Sequence, residues 1–116
     1  MKKKKIGRKF SRKTDQRKAL IRSLLSSLFL RGKIKTTEAK AKEISRFADN
    51  FINKSKNNDL ATIRNLARYF SRGITKKLVQ EIGPGFKERK GGYTRVVKTG
   101  QRKSDGARMA IIEIVK

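Results

Sequence analysis

The sequence predicts an α+β fold, with about four helices packed on one side of a small three-stranded sheet behind a basic, extended N-terminal tail. Three observations carry that prediction. Leucine, isoleucine and phenylalanine recur at helical spacing through the first two thirds of the chain, β-branched runs take over only at the end, and the opening residues hold almost nothing apolar to bury. One domain is natural for 116 residues, and 35% hydrophobic content is adequate for one small core. The expected division is a basic extension over 1–13 and a single globular domain over 14–116.

The head carries Lys2, Lys3, Lys4, Lys5, Arg8, Lys9, Arg12 and Lys13 around two sizeable apolar residues, so it is read as a tail that orders on a partner. Thr14 is the expected cap of a first helix whose apolar face is Leu20, Ile21, Leu24, Leu25 and Leu28, ended by Gly32. Ile34-Lys35-Thr36 reads as a short strand. Thr37 then caps a second helix with Ala41, Ile44, Ala48, Phe51 and Ile52 on its inner face and Phe47 beside them. From Asp59 a third helix is expected to turn Leu60, Ile63, Leu66, Ala67 and Phe70 inward. Its flank aligns Arg64, Arg68 and Arg72 at i, i+4 and i+8 in one ridge, closed by Gly73. Thr75 would cap a short fourth helix around Leu78, Val79 and Ile82, stopped by Gly83-Pro84. Gly83 to Gly92 reads as a flexible, anion-facing loop. Tyr93 to Thr99 and Met109 to Val115 read as a hairpin with a long basic tip, the last strand lying in the middle of the sheet because both its faces are largely apolar.

Charge bounds the function more tightly than the fold does. The net charge is +24, and residues 1–22 hold eleven cations against one acid. Nucleic acid, with its dense ladder of phosphates, is the polyanion that can neutralise so many cations on different elements. Arginine recurs through the chain, and guanidinium grips phosphate with two bonds and stacks on bases. The candidate RNA-binding set is therefore Lys2, Lys3, Lys4, Lys5, Arg8, Lys9, Arg12, Lys13, Arg17, Arg22, Arg64, Arg68, Arg72, Arg89, Lys90, Tyr93, Arg95, Arg102 and Lys103. Tyr93 and Tyr69 are each open to two readings, stacking on an unpaired base or half-buried packing.

Catalysis finds little foothold. The chain has no cysteine and no histidine, which removes thiolate metal sites, disulfides and the commonest general base. Ser104-Asp105-Gly106 reads as a turn, and the acids sit near helix ends or beside cations, so no enzyme, metal or cofactor is expected. No apolar run is long enough for a membrane span or follows the N-terminal lysines as in a leader, so the expectation is an intracellular protein without a membrane partner. An architectural DNA-binding protein is the rival class. It would be expected to dimerise, and no self-complementary apolar patch points to an obligate homo-oligomer. A metal-dependent RNA-processing enzyme is a third class, disfavoured by the placement of the acids.

Specific blocks also carry a resemblance. Gly7-Arg8 with Arg12, Arg17, Ala19 and Leu20, then Ile34 and Thr36-Thr37-Glu38-Ala39-Lys40-Ala41-Lys42-Glu43, then Gly83-Pro84, Arg89, Gly91-Gly92-Tyr93-Thr94-Arg95, Gly100, Asp105, Met109 and Glu113-Ile114-Val115 are in order along the chain. Together they resemble bacterial-type large-subunit ribosomal protein seventeen. The chain departs from that pattern at Lys2 and Lys3, at Gly85 and at Arg108. The resemblance implies a two-layer fold of helices against a small mixed sheet, and a structural, non-catalytic role in the cytoplasmic ribosome, an organellar ribosome being the other setting it allows. The implied partners are large-subunit ribosomal RNA and neighbouring large-subunit proteins, near the polypeptide exit region.

Overall fold

The structure, a computed structural model, describes residues 14–115, and the expected basic extension over 1–13, with Lys2 to Lys13, lies outside them. Helix α1 (Thr14–Arg31) has Asp15 in its first turn and buries Ile21, Leu25, Leu28 and Phe29. Gly32 ends it at φ 87°, its N–H reaching back 2.7 Å to the Leu28 carbonyl, a geometry that only glycine adopts cheaply. Strand β1 (Lys33–Thr37) runs directly into helix α2 (Glu38–Ser55), where the Thr37 side chain accepts from the Lys40 N–H as the sequence predicted. Ala41, Ile44, Ala48 and Ile52 form the buried face of α2, with Phe47 and Phe51 at its margin.

The second half departs from the expectation at three places. Helix α3 (Leu60–Ala67), capped by Asp59 through the Thr62 N–H at 2.8 Å, is only eight residues long. It buries Leu66 but leaves Leu60 61% and Ile63 37% exposed, so its inner face is far narrower than its apolar spacing suggested. The chain breaks after Ala67 because Phe70 is drawn into the core, edge-on to Phe29 at 5.4 Å and Phe51 at 4.9 Å. Ser71, not Thr75, then caps helix α4 (Arg72–Lys77); Gly73 lies inside that helix and Thr75 is buried within it.

Gly83-Pro84 does not stop the helical run. Leu78–Ile82 widens into a π turn and a last turn, α5 (Gly83–Gly85), carries Pro84 in its first positions. A wider turn suits a following proline, which has no N–H to give and whose ring presses on the carbonyl four residues back. Gly83 is there for packing: a Cβ on it would run into the Ser55 carbonyl at the end of α2.

Strands β2 (Thr94–Gln101) and β3 (Arg108–Ile114) form the expected hairpin, and β3 is the central strand in the order β1-β3-β2. Both pairings are antiparallel, so the sheet is not mixed; β1 and β2 run the same way on either side of β3, and the helices between them carry the chain across it. Ala110 and Ile112 point to the helices, with Ile34 and Val96 beside Ile112 across the two pairings. The bond between Ser45 Oγ and Thr94 Oγ1, 2.8 Å, and that from Thr94 Oγ1 to Asp49 Oδ1, 3.2 Å, fasten β2 to α2. No helix among the described residues is long and apolar enough to cross a membrane.

Candidate nucleic-acid interface

Five cations are taken up by the protein's own acids. Lys42 and Lys98 meet Glu38 at 3.0 and 3.7 Å, Arg46 pairs with the buried Glu43, Arg95 pairs with its cross-strand neighbour Glu113, and Arg102 pairs with Asp105 at 2.7 Å. Two carboxylates record this electrostatically. Hydrogen bonding to Lys42 holds Glu38 below its ordinary value, and Arg102 holds Asp105 down to about 2, helped by the Ala107 N–H. Asp59 is lowered by its capping contacts to the Thr62 side chain and N–H.

Arg22, Arg64, Arg68, Arg72, Lys90 and Lys103 are exposed and enter no ion pair among the described residues. Theirs is therefore charge that a phosphate would meet uncompensated. Arg64, Arg68 and Arg72 do not form one helical ridge, however. Arg64 lies in the last turn of α3, Arg68 caps its end and Arg72 opens α4, because the break at Phe70 intervenes.

The glycine-bounded loop, expected to be flexible, is instead tied down by specific contacts. Phe86 is 7% exposed, and the Arg89 carbonyl accepts from the Tyr93 hydroxyl at 2.9 Å and from the Lys56 ammonium. Arg89 Nε in turn donates to the Gly91 carbonyl at 3.1 Å. Tyr93 is the organiser of this knot and a correction to the candidate set as a base-stacking residue. It is 2% exposed, edge-on to Phe86 at 5.2 Å, with the Lys56 ammonium 4.6 Å from its ring centre and a further hydrogen bond to Asn53 Oδ1. No ring face is left for a nucleotide.

The hairpin tip is likewise a built turn. Asp105 accepts from Arg102 and from the Ala107 N–H, and Gly106 sits at φ 71° between them. Lys103 projects from this turn while Arg102 is clasped to it.

A second cluster escaped the sequence reading. Arg17, Lys18, Arg22 and Lys54 rim a groove of about 530 Å³ between α1, α2 and the α3–α4 turn, floored by Phe47, Phe51, Tyr69 and Phe70. Both Lys54 and Tyr69 are far apart in sequence from the α1 cations, so periodicity within one element gave no signal for their meeting. Among the described residues no group of three or more acids gathers in a way that would hold a metal ion.

Comparison with known proteins adds an independent line. Residues 20–115 match the family described as Ribosomal protein L17. The chain is 49% identical over 110 residues to the large ribosomal subunit protein bL17 of Natranaerobius thermophilus, covering 94% of this chain and 97% of that one. It is 46% identical over 116 residues to the protein of the same description from Gemmatimonas aurantiaca, covering 99% and 98%. With Pelobacter propionicus the identity is 45% over 113 residues, 97% of this chain and 89% of that one. Matched along nearly its whole length in this way, the chain belongs to the ribosomal protein L17 family.

Proposed function

We propose that this chain is a structural constituent of the large ribosomal subunit, held on large-subunit ribosomal RNA by phosphate and shape contacts and supporting subunit assembly and translation. One observation carries the reading: a chain of net charge +24, several of whose few acids are paired internally, belongs to a family of large-subunit proteins. The architectural DNA-binding alternative falls away with that membership. The family is one of structural ribosomal proteins, and the role proposed here involves no catalysis and no cofactor.

The cations of the head, Lys2 to Lys5, Arg8, Lys9, Arg12 and Lys13, are proposed to thread along RNA, and Arg17, Arg22, Arg64, Arg68, Arg72, Lys90 and Lys103 to meet phosphates around a junction. Arg89, Arg95 and Arg102 have a second duty within the fold, so they contribute field more than a free guanidinium. Deep A-form grooves hide the bases, which makes shape and splayed nucleotides the features to be recognised. Neighbouring large-subunit proteins are expected alongside, in the cytoplasmic ribosome.

The test is mass spectrometry of purified large subunits washed in high salt. The chain is expected there in one copy per subunit. Its absence from purified subunits, or its recovery only with nucleoid DNA, would overturn the reading.

A further inference from the structure

The groove between α1, α2 and the α3–α4 turn has a composition unlike the rest of the surface. Its rim carries Arg17, Arg22 and Lys54, and among the described residues no carboxylate lines it. Its floor is aromatic, and Tyr69, 42% exposed, rests edge-on against Phe51 at 5.3 Å. Two of the cations already lean on these rings: the Arg22 guanidinium is 6.0 Å from the Tyr69 centre and the Lys54 ammonium 5.8 Å from that of Phe51. Arg17 Nε is buried without a hydrogen-bond acceptor among the described residues, and a buried donor of this kind is stabilised by an oxygen acceptor.

From this arrangement we infer that the groove receives one unpaired nucleotide of RNA, its base stacked on Tyr69 and its phosphate held by Arg17, Arg22 and Lys54. The inference deepens the ribosomal RNA reading and rests on it. A paired RNA helix would use the rim but leave the ring idle, since stacked bases offer it no face. A splayed nucleotide uses both, and the exposed Asn50 amide at the edge supplies a donor and an acceptor for a base. At about 530 Å³ the groove is within the ~300–1,000 Å³ of sites that hold small ligands. The larger groove, about 930 Å³, is less suited: Glu81 and Glu113 line it, Arg95 is paired with Glu113, and Lys77 donates to the Leu30 carbonyl at 2.7 Å.

The test titrates the full-length chain and its variants with transcribed large-subunit ribosomal RNA over a range of salt. Tyr69→Ala is expected to weaken binding about tenfold, the scale of one base–aromatic stack, with the salt slope unchanged. Tyr69→Phe, which keeps the ring, restores binding, and Arg22→Gln both weakens binding and flattens the slope by about 1. Thermal melts establish that each variant is folded, and ultraviolet crosslinking of the wild-type complex gives a readout that needs no variant. A nucleotide adduct on the peptide carrying Tyr69 or Phe51 supports the assignment. Wild-type affinity in Tyr69→Ala, or adducts found only elsewhere, would overturn it. So would a neighbouring ribosomal protein, or the chain's own residues 1–13, crosslinked over Tyr69 in assembled subunits. A wild-type chain that binds no ribosomal RNA at all would instead sink the ribosomal reading, and the groove with it.

Discussion

Tyr93 and Arg102 illustrate how a residue type suited to RNA is put to internal use. The Tyr93 hydroxyl bonds both Asn53 and the Arg89 carbonyl, so Tyr93→Phe should cost about 1 kcal/mol in a thermal or denaturant melt, the worth of a buried hydrogen bond. The loss is modest because Lys56 keeps its own hold on that carbonyl. Arg102 and Asp105 form the other internal pair, and its pH dependence has a defined sign. A carboxyl at about 2 in the fold and 3.8 outside it contributes fully above pH 3.8 and gives up that contribution as the pH falls through about 2. Because both partners are exposed, water and salt screen the pair and its loss loosens the turn more than the whole fold. The amide resonances of Gly106 and Ala107 should therefore hold steady from neutral pH down to the ordinary carboxylate range and move only on approach to 2. A transition centred at 3.8 would mean that Arg102 is not clasped to Asp105 in solution.

At the scale of elements, α1, β1, α2 and the hairpin were legible because each is bounded by a strong local signal: Gly32, the Thr37 cap, and alternating β-branched residues around a glycine-bearing tip. The stretch from Asp59 to Gly92 was not, and the reasons are tertiary. Phe70 can serve as the next apolar residue of a long helix or as a plug between Phe29 and Phe51, and only the packed core chooses the second. Gly83 reads as a helix stop by composition, yet its role is to let the last turn approach the end of α2. Two glycine substitutions separate these meanings. Gly83→Ala should destabilise by about 1–3 kcal/mol, the range of overpacked sites, since the obstacle is the Ser55 backbone. Gly73→Ala, inside α4 with open space around its Cβ, should gain about 0.5–1 kcal/mol from helix propensity. Comparable effects for the two would remove the close-approach argument. The candidate interface was legible only in part for the same reason. Single cations could be named from the sequence, but which of them acids neutralise, and that Lys54 and Tyr69 join the α1 arginines, depends on elements meeting in space.

For the whole molecule, the helix layer and the antiparallel sheet pair off Glu38, Glu43, Asp105 and Glu113 and leave a large surplus of positive charge to be neutralised from outside. Deleting residues 1–13 should leave the helical circular-dichroism signal of the remainder while weakening ribosomal RNA binding and reducing the salt slope by as much as about 6, given eight cations at about 0.7 released ions each. Unchanged affinity would take the head out of the mechanism. The most direct test of the account is the affinity of the full chain for folded large-subunit ribosomal RNA measured across salt concentrations. With roughly eight to twelve cations on phosphates, the account predicts a slope of log affinity against log salt of about −6 to −10. A slope near zero, or equal binding to unfolded RNA of the same length, would contradict it.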